Sequence, residues 1–383
     1  MKNIPYGRQY ITEEDIAIVV ETLKSDFLTQ GPRIKQFEDA FAEYCNCKYA
    51  VMVSNGTAAL HLAAMALGIK PDDKIITTPI TFVASANGFR YCGADITFCD
   101  IDPRTYLLDL NKLEELLATS PKGTYKAVVP VDFAGYPIDV ERLRVIADKY
   151  GLAIVEDACH APGAFFYDGK REKQIAGSSN YSDMTVFSFH PVKHIATGEG
   201  GAIVTNNEEL YKKLLLYRTH GITKNPDELE QTDGGWYYEM QELGYNYRIT
   251  EIQAALGISQ LKRLEWSVER RNEIANKYAK AFEGTSVRTP FVQAGIRHAF
   301  HLYVVQVAKR KELYEYLKAH NIFAQVLYIP AHLMPYYRQF GWKQGDCPIA
   351  ENYYNHCLSL PMYPSLTDEE QDYVIEKIIE FIN

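Results

Sequence analysis

Short apolar or β-branched runs at residues 50–53, 74–78, 96–100, 127–131 and 153–155 alternate with stretches of helical spacing. This rhythm restricts the fold more than any other feature. Strands that recur only after a helix has intervened must run the same way, so the chain calls for a largely parallel sheet covered by helices, an α/β architecture. Residues 185–189 and 201–205 read as two further strands joined by a loop. Thr12 opens a first helix, with Asp15 three residues later as its capping acid, and residues 33–44 repeat that character. Residues 224–245, rich in Gly, Asp and aromatics, form an irregular excursion. From Glu251 to about Phe282 the pattern is helical. Beyond it, runs at 301–307 and 324–328 flank a helix at 311–320, which suggests a smaller α+β part. The expected division is residues 1–250 for the large domain and 251–383 for the small one.

The loop between the last two strands of the large part carries Ser188-Phe189-His190-Pro191-Val192-Lys193, followed by Thr197-Gly198-Glu199-Gly200-Gly201. A lysine so placed can hold pyridoxal 5'-phosphate covalently as an imine. That cofactor also needs an anion site for its phosphate, a carboxylate for its pyridine nitrogen and a flat side chain against its ring. Ser54-Asn55-Gly56-Thr57-Ala58 follows the run 49–53 and reads as strand, turn and helix start, whose free N–H groups face an anion. Asp157 closes the run 152–155 at the carboxyl end of a strand, where ligands of α/β sheets collect. A helix N-cap is the alternative for Asp157. Glu156 points to the opposite strand face and is read as structural.

Composition decides what this chemistry is not. A net charge of −9 without a basic run argues against nucleic acid or an anionic membrane as a main partner. No apolar stretch approaches the length of a membrane span, and the first residues lack a signal-peptide core, so a cytoplasmic protein is expected. Seven cysteines is an odd count, and Cys45-Asn46-Cys47 has neither metal-knuckle nor thioredoxin spacing, so no disulfide or zinc framework is expected. Reduced thiols and no metal are the expectation.

Gly56-Thr57, Phe82, Asp157, Ser188, Lys193 and Asn246, in that order, resemble the sugar-nucleotide aminotransferases of the DegT/DnrJ/EryC1/StrS family, within the fold-type I pyridoxal phosphate enzymes. Leu28-Thr29-Gln30-Gly31 and Gly244-Tyr245-Asn246-Tyr247-Arg248 strengthen the likeness. Arg218-Thr219-His220-Gly221-Ile222 and Gln325-Val326-Leu327-Tyr328 are similar to the branch that aminates a UDP-linked 4-keto-6-deoxy-N-acetylhexosamine toward pseudaminic acid. That branch often has a histidine where Leu327 stands.

The resemblance implies roles. Lys193 would anchor the cofactor and shuttle protons, and Asp157 would pair with the pyridine nitrogen. Phe82 would stack on the ring, with core packing as the alternative. His160 would sit near the phenolic oxygen or serve as a structural histidine. Ser188 would donate to the phosphate beside Gly56 and Thr57, and Asn246 would reach the phosphate of a neighbouring subunit in a homodimer with shared sites, or simply occupy a turn. Tyr6, Asp26, Phe27, Leu28, Thr29 and Tyr328 match positions near the sugar-nucleotide pocket. The substrates implied are L-glutamate and a UDP-linked 4-keto sugar. Rival readings are a bacillosamine, perosamine or 4-amino-arabinose type of aminotransferase, and a related dehydratase, in which a histidine replaces the lysine; here His194 is adjacent, but the spacing from Ser188 puts Lys193 in register. A cofactor-binding regulatory protein without turnover is the more distant rival.

Overall fold

The computed structural model describes residues 3–383. Seven strands build the central sheet: β1 Tyr49–Val53, β2 Lys74–Thr77, β3 Asp95–Phe98, β4 Tyr125–Val129, β5 Ala153–Asp157, β6 Met184–Ser188 and β7 Gly201–Thr205. Their spatial order is β1-β7-β6-β5-β4-β2-β3. The pairs β2–β3, β2–β4, β4–β5 and β5–β6 are parallel, whereas β7 runs antiparallel to both of its neighbours. The reversal follows from the connection. Only the Lys193 loop and the turns after it join β6 to β7, with no helix to carry the chain back across the sheet.

Apolar side chains on both faces explain why the strands read as continuous hydrophobic runs. Val51, Val53, Val129, Val155, Val186 and Ile203 pack on one cluster. Ala50, Met52, Phe187, Ala202 and Val204 pack on another, beneath helix Pro32–Cys45. The strand of residues 153–155 continues through Glu156 to Asp157, so the last two acids belong to β5 and not to a helix cap.

The expected first helix is Glu13–Leu23, with the backbone N–H of Thr12 donating to Asp15 at 2.9 Å. Asp15 also accepts from Gln260, which ties this helix to Glu251–Leu261. A third apolar cluster joins helix Leu264–Ala281 to the antiparallel pair Tyr303–Gln306 and Cys357–Leu360 and to helix Asp368–Ile382. The run 324–328 is not a strand of its own: Ile322–Phe323 pairs in parallel with Ile4–Pro5, and Gln325 bridges to Ser359. Within the irregular excursion, Glu239–Met240 pairs antiparallel with Ile222–Thr223 just before it. All seven cysteines are free. No helix of the described residues is long and apolar enough to cross a membrane.

Candidate active site

Reversal of β7 gathers four chain positions at one edge of the sheet. Gly201 lies opposite Ser188 on one side and Val53 on the other, while Val186 lies opposite Asp157. The ends of β1, β5 and β6 therefore stand side by side, at the place where open parallel sheets bind ligands.

After β1 the chain turns into helix Gly56–Ala66. Asn55 caps it, its side-chain oxygen accepting the N–H of Ala58 at 2.8 Å and its carbonyl that of Ala59. The N–H groups of Gly56 and Thr57, in the first turn, have no partner within the helix. Ser188 stands beside them: a Cβ built on Gly56 would lie 3.1 Å from the Ser188 Cβ. The Ser188 hydroxyl accepts the N–H of His190 at 3.4 Å, which leaves its own proton to donate. Gly201 makes this cradle possible, since a Cβ there would fall 2.6 Å from the Asn55 carbonyl carbon and 2.8 Å from the Gly56 nitrogen.

Asp157 is 5% exposed and its carboxylate is held at both oxygens. Ser85 Oγ donates to Oδ2 at 2.6 Å, and the N–H of Cys159 to Oδ1 at 3.1 Å. Thr81 stands 2.6 Å from Ser85, in the same segment as Phe82. The Phe82 ring is 59% exposed, so core packing does not account for it, and it lies 6.2 Å from the Tyr328 ring. On the other face of β5, Glu156 accepts from Thr185 at 2.9 Å and Ser182 at 3.2 Å. Nearby Asp132 is fully buried and accepts the N–H of Ile138. Burial raises both acids, and the Glu156 charge pushes Asp132 well above the carboxylate range.

Lys193 is half-buried. Burial lowers its amine to about 8 against the opposing pull of Cys159 and Asp157. Its Nζ lies 3.5 Å from His301 Nε2. Three imidazoles surround it, and each has lost basicity chiefly through burial. His160 Nδ1 accepts the N–H of Ala134 at 3.2 Å, so its proton sits on Nε2, 3.3 Å from the Tyr328 hydroxyl. His194 donates from Nε2 to the Ala299 carbonyl at 2.8 Å; it braces the loop and does not stand in for the lysine.

The structure thus brings together Gly56, Thr57, Asp157, His160, Ser188, Lys193 and Tyr328, with Phe82 against Tyr328. Tyr6 and Tyr328 pack against the same apolar cluster. Asn246 is exposed on a segment fastened to the turn before Gly56, because Tyr247 accepts the N–H of Ser54 at 2.8 Å. Asp26, Phe27, Leu28 and Thr29 are exposed, and no hydrogen bond joins them to the lysine. They are held elsewhere: Thr29 bridges to Thr250, and the Glu251 carboxylate accepts the N–H groups of Gly31, Arg33 and Ile34 at 3.0, 2.7 and 3.2 Å. Ser85, Glu251 and His301 escaped the sequence reading. Ser85 stood inside the run that drew attention to Phe82, and nothing local marked the other two.

A cavity of about 480 Å³ lined by Asp102, Arg104, Tyr136, Arg142 and Phe291 contains none of these residues. The carboxylates of Asp102, Asp109, Asp139 and Glu141 around it are spent on backbone N–H groups, which speaks against it as the reaction site.

The donor set fits pyridoxal phosphate: unspent N–H groups and a hydroxyl proton for the phosphate, a fixed buried carboxylate, and a lysine of lowered basicity between them. The family model for DegT/DnrJ/EryC1/StrS aminotransferases matches residues 9–379. The chain is 42% identical over 388 residues to a spore coat polysaccharide biosynthesis protein, SpsC, of Bacillus subtilis, covering 99% of this chain and 97% of that one. It is 35% identical over 387 residues to the UDP-4-amino-4,6-dideoxy-N-acetyl-beta-L-altrosamine transaminase of Campylobacter jejuni, covering 99% and 97%. Among solved structures, a putative sugar aminotransferase from Streptococcus pneumoniae in its PLP form superposes with a TM-score of 0.90 at 29% identity, over all of both chains. Sequence, fold and the chemistry of the sheet edge converge, and the chain belongs to the DegT/DnrJ/EryC1/StrS aminotransferase family of pyridoxal-phosphate-dependent sugar aminotransferases.

Proposed function

We propose that the protein transfers the amino group of L-glutamate to C4 of a UDP-linked 4-keto-6-deoxy-N-acetylhexosamine, giving UDP-4-amino-4,6-dideoxy-N-acetyl-β-L-altrosamine for pseudaminic acid synthesis in the cytoplasm. The observation that carries the reading is the Asp157 carboxylate, anchored by Ser85 and the Cys159 N–H, at the same end of the sheet as the Gly56 and Ser188 cradle and the Lys193 loop. Likeness to the Campylobacter jejuni transaminase supports the choice of sugar.

When bound, pyridoxal phosphate supplies an electron sink and carries the nitrogen between the two substrates. The chain's own residues do the rest. The N–H groups of Gly56 and Thr57 and the Ser188 hydroxyl bind the phosphate. Asp157 would hold the proton of the ring nitrogen, and Phe82 would offer its face to the ring. His160 holds the Tyr328 hydroxyl and would serve the phenolic oxygen. Lys193 would anchor the cofactor; as a free amine, its Nζ would take the proton from the donor α-carbon and, in the return half, deliver a proton to C4 of the sugar. 2-Oxoglutarate leaves in the first half and the amino sugar in the second.

The working unit we infer is a homodimer in which Asn246 reaches the partner's phosphate. Residues 1–250 form the large cofactor-binding domain and 251–383 the smaller one. Tyr6, Asp26, Phe27, Leu28, Thr29 and Tyr328 line the sugar-nucleotide side. Borohydride reduction followed by peptide mapping tests the anchor: the adduct falls on Lys193, and an adduct on Lys262 would overturn the register. Competition between the L-arabino keto sugar and its D-xylo epimer tests the substrate. We expect both to react with the L-arabino form preferred, because a small difference in an apolar pocket is worth only about 1–3 kcal/mol. Preference for the D-xylo sugar would move the protein to the bacillosamine type.

A further inference from the structure

We propose that His301 is a positioning residue for Lys193, taking one N–H of its free amine and so aiming the lone pair away from the imidazole, toward the reacting carbon. This rests on the reading of Lys193 as the amine that moves the proton.

Geometry singles out one of the three buried imidazoles. His160 spends Nδ1 on Ala134 and faces Tyr328, and His194 spends Nε2 on Ala299. His301 alone turns a ring nitrogen to the lysine, Nε2 at 3.5 Å, and this is the hydrogen bond recorded for the amine among the described residues. Its other nitrogen, Nδ1, is buried without a partner. The ring is therefore not fastened to the scaffold by hydrogen bonding at either end. Packing holds it, with the His160 ring centroid at 4.4 Å and that of His194 at 5.9 Å, and the residue is 4% exposed.

An imidazole in such surroundings stays neutral: burial first, then the charges of Lys193 and Arg271, hold His301 well below its ordinary range. A neutral ring with its proton on Nδ1 presents a lone pair at Nε2, which accepts from the ammonium and from the amine alike. The amine has two N–H groups and one lone pair. Spending an N–H on His301 confines the lone pair to directions away from it, and orientation of this kind is a large part of catalysis by a positioned base. The other groups facing Lys193 are Asp157 and Cys159 at the end of β5, with His160 beyond them, and His194 from its own loop; Arg271 of helix Leu264–Ala281 bears on His194 and His301.

The test uses the holoenzyme and two variants. His301→Leu removes the acceptor, and His301→Gln restores one near the Nε2 position. In single turnovers with L-glutamate, we expect His301→Leu to slow the amino-donor half-reaction by roughly 10–100-fold, with the cofactor still trapped on Lys193 by borohydride. His301→Gln should return to within about 5-fold of wild type. A second readout does not involve turnover: acetylation of Lys193 in the cofactor-free protein, followed against pH by mass spectrometry. The wild-type midpoint should lie near 8. It should fall by about one unit in His301→Leu, since the lost acceptor favoured the ammonium, and stay close to wild type in His301→Gln. The proposal is overturned if His301→Leu keeps a half-reaction within 2-fold of wild type, or if both variants are equally slow with an unmoved midpoint. A wild-type protein that neither traps cofactor on Lys193 nor converts L-glutamate would instead defeat the reading beneath it.

Discussion

Replacing Gly201 by alanine should damage the proposed phosphate site while sparing the fold. Gly201 has no positive φ, so alanine meets no backbone penalty there, and the cost is purely steric. The new methyl would fall 2.6 Å from the Asn55 carbonyl carbon and 2.8 Å from the Gly56 nitrogen. Ordinary contact begins at 3.4 Å, so the turn that starts helix Gly56–Ala66 must retreat by about 0.8 Å. The clash is with backbone, not with the end of a flexible side chain. Overpacking of this kind costs about 1–3 kcal/mol of stability. A donor cluster displaced by nearly an ångström weakens recognition by up to about 10²-fold. Titration of the cofactor-free protein with pyridoxal phosphate should show a 10–100-fold rise in Kd. Gly68→Ala is the control. It lies just past the far end of the same helix, has a φ of +70° and meets nothing within 4 Å, so it costs about 1 kcal/mol through backbone strain alone. Its Kd should stay within about 3-fold of wild type. Equal Kd values for Gly201→Ala and wild type would refute the argument that β7 presses on the phosphate turn, as would an equal loss in both variants.

Asp157→Asn should bind the cofactor through its phosphate but turn over at least about 100-fold more slowly, about 2.7 kcal/mol of barrier; steady-state rates near wild type would remove Asp157 from the ring nitrogen. Asp132→Asn should be more stable than wild type by an amount that grows with pH. Burial raises Asp132 in the folded state, so above the ordinary carboxylate range the native form must hold a proton that the unfolded chain has released, and stability falls as pH rises toward the folded value. Thermal unfolding at pH 5 and pH 8 measures this, and a difference that does not change with pH would count against a raised Asp132. Co-expressed Lys193→Ala and Asn246→Ala subunits should form mixed dimers in which both lesions fall in one site and the other is intact. Activity confined to the parental level would reject a site shared through Asn246.

Local pattern carried far in this chain. Continuous apolar runs such as 50–53 and 201–205 are what strands buried on both faces require, and their alternation with helices dictated a parallel sheet. Thr12 with Asp15, and the place of Asp157 just after an apolar run, were readable because caps and strand ends depend on neighbours a few residues away. Lys193 stood out from its own loop as the candidate anchor. What brought these pieces to one edge was the reversed β7, set between β1 and β6, which no run of residues announces. The helper groups were hidden for the same reason. Ser85 reaches Asp157 across 72 residues, His301 reaches Lys193 across 108, and Glu251 caps a helix that begins 219 positions earlier at Pro32. Propensity and periodicity act over a turn or a strand, whereas a buried polar group takes its partner from whichever segment packing delivers. The sequence by itself therefore determined most of the elements and marked Lys193 as the candidate lysine, and the tertiary structure decided which distant side chains stand against Lys193 and Asp157.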